Sequence, residues 1–218
     1  MAKNYLSSGS LKPALDALLG ALETDPNNIE ANSLAGATLM ALNEYTSAEA
    51  LLYSAVKLSA WSDYLSMANL AECLRINGDL EMAEKVAFKA LKSPAADRDP
   101  SGILAYTLGN LFLSKHKYAE AADWLLSSAV KQSNNVDLWI KASTLMFPPE
   151  NRDFKFAANV LSEANSRNPS NSQILVYLGI ALSETGRLAD GVALVEESYR
   201  LDNTNTLASS LLKTVSRV

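Results

Sequence analysis

A small residue returns along the whole chain at intervals of 34 to 38 residues: Ala14, Ala48, Ala83, Ala121, Ala157 and Gly191. Four residues after each stands Leu18, Leu52, Ala87, Leu125, Leu161 or Val195. Seven after it comes another small residue, Ala21, Ala55, Ala90, Ser128, Ala164 or Ser198. A spacing of i, i+4, i+7 is one face of an α-helix. Three residues before each anchor lies a large apolar or aromatic residue, Leu11, Tyr45, Leu80, Tyr118, Phe154 or Leu188, expected to pack under the start of that helix. A second helix is marked upstream by Ala35-Gly36, Leu70-Ala71, Leu108-Gly109, Ala142-Ser143 and Leu178-Gly179, followed three residues later by Leu39, Leu74, Phe112, Met146 and Leu182. The small residue lets two helix backbones approach closely, and the large one fills the space beside it. A period of this length is the signature of stacked repeats, in which neighbouring units bury one another's apolar faces.

The pattern resembles the tetratricopeptide repeat, a helix-turn-helix unit of 34 residues. Asp25-Pro26-Asn27-Asn28 and Asn168-Pro169-Ser170-Asn171 are similar to the family's turn between repeats, where proline ends one helix and the next begins. Trp139 and Leu108-Gly109 are similar to its signature start. The resemblance covers essentially all of the chain. It implies an all-α protein, a right-handed α-solenoid superhelix of about six helix-turn-helix repeats with a C-terminal capping helix. The repeats are expected at 1–28, 29–63, 64–101, 102–135, 136–171 and 172–205, with the cap at 206–218. In the first, Tyr5 already stands near the end of its helix, so that helix is clipped or the chain is cut from something longer. Two connectors exceed the repeat's needs: Ser93 to Ser101, with two prolines, and Phe147 to Asp153. Each is expected to be a tolerated insertion; the alternatives are a functional role for both loops and a hinge or changed twist in the stack at 93–101.

The formal charge is -5 and no run of Lys or Arg supplies a basic face, so nucleic acid is not an expected partner. No segment approaches the ~18 continuous apolar residues of a membrane span. A soluble, cytoplasmic protein with no membrane partner is expected. Cys73 is the single cysteine, which excludes an internal disulfide, and its mid-helix place marks it as a packed thiol. His116, the one histidine, holds the turn position where other repeats have Gly9, Gly78 and Gly186, so a turn residue is expected rather than a catalyst. With no glycine-rich phosphate loop and no metal-ligand spacing, no cofactor, no metal and no enzymatic activity are expected.

The resemblance further implies that the first helices of the repeats line a concave groove. Carried over position by position, the groove residues are Leu34 and Met40, then Leu65, Asn69 and Arg75, then Ile103, Tyr106 and Asn110, then Ile140 and Lys141, and finally Tyr177 and Ile180. Such a surface, apolar in patches with a few hydrogen-bonding groups, suits an amphipathic helix or extended segment of a partner protein. Tyr106 and Tyr177 are the expected anchors. Family members that bind chaperone C-termini clamp the carboxylate with Lys, Arg and Asn side chains. Asn110 matches one place, but Tyr106, Lys141, Gln173 and Tyr177 stand at others, so that clamp is not expected.

The expectation is a non-catalytic scaffold or adaptor, a subunit of a larger assembly that binds a protein or peptide segment. A regulatory or targeting segment of a longer multidomain enzyme is one alternative. An RNA-binding helical repeat is another, disfavoured by the acidic pI of about 5.0. Self-association through Tyr53, Phe88 and Trp124 competes with their plain burial between helices, which is the favoured expectation.

Overall fold

The computed structural model describes residues 1–94, 99 and 101–215. Among the described residues lie thirteen α-helices and no strand. Contacts gather into two compact units, Met1–Lys115 and His116–Val218. The first contains α1 (Ala2–Ser7), α2 (Leu11–Thr24), α3 (Ile29–Ala41), α4 (Tyr45–Leu58), α5 (Tyr64–Ile76), α6 (Leu80–Leu91) and α7 (Ile103–Ser114). The second contains α8 (Tyr118–Lys131), α9 (Val136–Thr144), a 3-10 turn (Pro149–Asn151), α10 (Phe154–Arg167), α11 (Ser172–Glu184), α12 (Leu188–Leu201) and α13 (Thr206–Val215).

Within each unit, helices consecutive in the chain pack on one another, and first helices also meet across the intervening second helix, α5 on α7 and α9 on α11. Contacts confined to near neighbours make this an all-α repeat solenoid.

The six large residues expected under a helix start are each the first residue of a helix, Leu11 of α2 through Leu188 of α12. All six anchors are buried, and so are the residues four further on. Of the small residues seven further on, only Ala21 is exposed. The reason lies in α1, whose six residues are too few to cover the far half of α2. Leu188 also departs from expectation, being 62% exposed. It borders an open cleft with Leu211 and Leu212 of α13, which meets α12 at the end of the described chain.

Helix boundaries follow from local chemistry. Asn28, Asp63, Asp79, Asp153 and Asn171 each precede a helix and accept a backbone N–H of its first turn, at 2.9 to 3.1 Å. Such caps satisfy donors that a helix start leaves unpaired. The turns after α1, α5, α7 and α11 close through a left-handed residue: His116 has φ 57°, as Gly9, Gly78 and Gly186 also have positive φ. His116 is thus the turn residue that its position suggests.

The connector before α7 is built on Asp99, which is only 2% exposed. Its carboxylate accepts from the Ser101 hydroxyl at 2.6 Å, the Gly102 N–H at 3.1 Å and the Leu104 N–H at 3.2 Å. The Tyr64 hydroxyl approaches it at 3.5 Å. Asp99 therefore caps α7 from outside the helix and ties it to the start of α5. The hinge expected at 93–101 falls mainly on 95–98 and 100, outside the described residues, as do the last three residues of the expected cap.

The core of the second unit is organised on Trp139, fully buried with Leu125, Leu161 and Ile174. Its indole N–H donates to the Ser133 carbonyl at 3.0 Å, which also accepts from Asn168 at 2.9 Å. The longer connector after α9 folds back through Asn151, which donates to the Leu145 carbonyl, and through Asp153, whose N–H reaches the Met146 carbonyl at 2.9 Å.

Candidate partner-binding surface

In the first unit, two first helices present neighbouring stripes. Leu65, Asn69, Glu72 and Ile76 recur along α5 at the spacing of one helix face, and Ile103, Tyr106 and Asn110 do so along α7. Leu65 and Ile76 are each 38% exposed and Tyr106 37%, so three large apolar groups stand in solvent.

Arg75 joins the two helices. It donates to both Glu72 oxygens, from Nε at 2.9 Å and Nη2 at 2.8 Å, and from Nη1 to the Ser114 hydroxyl at 3.1 Å. The Glu72 hydrogen bonds raise the Arg75 pKa above its usual value, against the opposing effect of burial. Three kinds of guanidinium N–H are therefore engaged within the fold, and Arg75 acts as a floor for the face more than as a reaching arm. A second tie runs from α3 to α5, where the Ser33 and Ser66 hydroxyls lie 2.7 Å apart and Ser66 donates to Asp63 at 2.5 Å.

The remaining groove residues of this unit are less open. Asn110 is 6% exposed, a buried member of α7. Asn69, Met40 and Ile103 are half-buried. Leu34 packs against the cluster of Leu18, Ala31 and Ala35.

Ile140, Lys141, Tyr177 and Ile180 belong to the second unit, where all four are half-buried. Tyr177 is a packing residue: its ring lies 6.2 Å from Phe147, which lies 5.2 Å from Phe154, each pair edge-on. It also packs against both core clusters of the unit. Ile180 borders the cleft that Leu188 shares with α13.

Reactive chemistry is sparse. Among the described residues no group of three or more His, Cys, Asp or Glu could hold a metal ion. Cys73 is fully buried, and burial, with Glu49 and Glu72 nearby, pushes its thiol up to about 12, far from a nucleophilic thiolate. No helix among the described residues is long and apolar enough to cross a membrane.

Sequence reasoning passed over one local structure. Ala60 and Trp61, at the turn after α4, both take positive φ, 51° and 64°. No residue type there signals it, since glycine is absent from the turn.

Residues 150–206 match the sequence profile of a family described as the tetratricopeptide repeat. Over that segment the chain carries the tetratricopeptide repeat. No curated protein matches the sequence. Solved structures with the same fold include PilW, described as a widely conserved type IV pilus biogenesis factor, 15% identical, with 97% of this chain and 94% of that one covered and a TM-score of 0.73. PilF of Pseudomonas aeruginosa is 16% identical over 98% of this chain and 94% of its own, with a TM-score of 0.72. YrrB, described as a TPR protein with an unusual peptide-binding site, is 14% identical over 91% of this chain and 99% of its own, with a TM-score of 0.67. At such identities the likeness is one of fold.

In chain order α3, α5 and α7 are the first helices of their pairs, and α5 and α7 carry Leu65, Ile76 and Tyr106. The second helices α4 and α6 carry the buried small-residue faces that hold the stack together.

Proposed function

We propose that the protein is a non-catalytic scaffold that binds a segment of another protein on the first-helix face of its first unit. The observation that carries this reading is the exposure of Leu65, Ile76 and Tyr106 on two packed helices, above the Arg75, Glu72 and Ser114 floor. Large apolar groups left in solvent on one face are what a partner's apolar side chains bury. The face carries Glu72 and Arg75 as a mutually neutralised pair, so it favours an amphipathic helix or extended apolar segment over a highly charged tail.

The peptide-binding site described for YrrB and the pilus-biogenesis role described for PilW support a binding function, here proposed within a larger assembly. Tyr106 on α7 is the principal anchor, and Asn69 on the neighbouring α5 directs hydrogen bonds.

The test is site-specific photo-crosslinking in the source cell. A photoreactive phenylalanine analogue at Asn69 is expected to yield a protein adduct that the same analogue at Asp16, exposed on α2, does not. Adducts from position 16 and none from position 69 would remove the first-helix face as the interface.

A further inference from the structure

The second-helix face of the first unit carries a feature that the groove does not use. Lys85, Lys89 and Lys92 fall at i, i+4 and i+7, so they share one side of α6 and its end. In a chain of formal charge -5, this is a local positive face. Two carboxylates of α6 are engaged: Glu81 pairs with Lys85 at 2.7 Å, which leaves Lys89 and Lys92 to carry the charge, and Glu84 pairs with Lys115. Among the described residues, Lys89 and Lys92 form no ion pair, and Lys89 instead sits 3.9 Å above the Trp61 ring.

Trp61 is held there by an unusual turn. Two consecutive non-glycine residues, Ala60 and Trp61, occupy the left-handed region, which L side chains seldom adopt. The Trp61 N–H donates to the Val56 carbonyl at 2.9 Å, and Ala60 N–H to the Lys57 carbonyl at 3.1 Å. The ring then meets Tyr53 edge-on at 6.2 Å, and Tyr53 is 53% exposed. Ser93 donates to the Ser62 carbonyl at 3.3 Å, which joins this turn to the end of α6. Trp61, Lys89 and Lys92 line one shallow cleft, and a neighbouring cleft along α6 shares Lys89 and Lys92 and adds Lys85, Phe88 and Glu84, the last held by Lys115. The two form a continuous lysine-lined furrow with an aromatic wall.

We infer that this furrow is a second docking surface, for an acidic protein segment that places an apolar side chain against Trp61 and Tyr53 and carboxylates along Lys89 and Lys92. Charge complementarity decides the class of occupant: unpaired ammonium groups raise the local potential and steer a segment of opposite sign. The aromatic wall decides that the segment is not purely charged, since Trp61 and Tyr53 offer apolar area that carboxylates alone leave uncovered. The Lys89 ammonium over the Trp61 ring keeps its charge there. This surface is separate from Leu65, Ile76 and Tyr106, so one partner can be held in the groove while another is held here.

The test uses a fluorescein-labelled polyglutamate peptide carrying a central leucine, titrated with the full chain and followed by anisotropy. Binding is expected to weaken as salt rises. Lys89→Glu/Lys92→Glu should weaken it by about tenfold or more, Trp61→Ala by a few-fold, and Leu65→Glu not at all. Lys89→Gln/Lys92→Gln, which only removes charge, repeats the test should the reversed pair not fold as judged by circular dichroism. Peptide affinity unchanged by either lysine pair overturns the inference. So does tighter, lysine-dependent binding of duplex DNA, or of phosphatidylserine-containing phosphatidylcholine vesicles, since the furrow would then serve a different class of partner.

Discussion

A β-carbon placed on Gly191 would lie 2.5 Å from the Gly179 carbonyl oxygen, and one placed on Gly179 would lie 2.7 Å from the Gly191 carbonyl oxygen. Helices α11 and α12 thus touch backbone to backbone at this pair, with Ser183 beside them donating to the Gly179 carbonyl at 2.9 Å. The same crossing in the second repeat has Gly36 against Leu52 and Ala48. The period visible in the sequence is therefore a period of helix contacts, and small residues recur because backbones, rather than side chains, set the separation.

Gly191→Ala is expected to destabilise the fold by about 1 to 3 kcal/mol, because overpacking a rigid crossing forces both helices to shift. Gly20→Ala, in the exposed middle of α2 with nothing within 4 Å of the new carbon, is expected to stabilise by about 0.5 to 1 kcal/mol. Urea denaturation of the two variants against the parent checks both signs together. Equal effects from the two glycines would mean that the crossing is looser than described.

Asp99→Ala should cost about 2 kcal/mol or more, since it leaves the Gly102 and Leu104 N–H groups and the Ser101 hydroxyl without their acceptor in a buried place. Hydrogen exchange is the informative readout. Faster exchange is expected at the start of α7, with α2 and α3 unaffected. Uniform loss of protection along the first unit would instead make Asp99 a general core residue.

Tyr177→Ala and Tyr106→Ala separate packing from surface. Removing Tyr177 takes a ring from Phe147 and from two core clusters, and should cost about 2 to 4 kcal/mol. Removing Tyr106, 37% exposed, should cost about 1 kcal/mol or less. Thermal melts of both variants decide this, and a larger loss from Tyr106 would contradict its place on the open face.

Cys73 makes a pH prediction. Its thiol ionises at 9.0 in an ordinary setting and at about 12 in the fold, where burial disfavours the thiolate. The unfolded chain therefore releases this proton first, so the contribution to stability is fully present below pH 9 and falls progressively as pH rises toward 12. The slope is about 1.4 kcal/mol per pH unit within that window. Cys73→Ala should be less sensitive to alkali than the parent across it. The native thiol should also resist alkylating reagents at neutral pH and react only after denaturation.

Much of the fold could be read in the residues because stacked repeats express tertiary contacts as local spacing. Leu52, Leu125 and Leu161 follow their anchors by one helical turn, and each is fully buried. Where a helix lacks its usual neighbour, spacing misleads: Ala21 and Leu188 follow the pattern yet stand exposed, at α2 beside a short α1 and at the cleft beside α13. Asp99 was legible only as part of a long connector, because its capping role depends on a chain path that spacing does not encode.

The surface was harder to read than the core. Family positions place Leu65, Tyr106 and Tyr177 alike in a groove, but exposure separates them: Phe147, from a lengthened connector, comes to rest on Tyr177 and takes up part of its ring. Arg75, expected to direct a partner, is drawn to Glu72 and Ser114 within the fold. Trp61 was invisible as a site, because its placement comes from backbone angles that no residue in the turn announces.

The most direct measurement is affinity capture from the source cell with the parent chain and with Leu65→Glu/Tyr106→Ala, both first shown to melt cooperatively at similar temperatures, and read by mass spectrometry. The first-helix face predicts a set of proteins recovered with the parent and lost with the variant. Equal recovery with both chains would contradict it and move the interface elsewhere on the repeats.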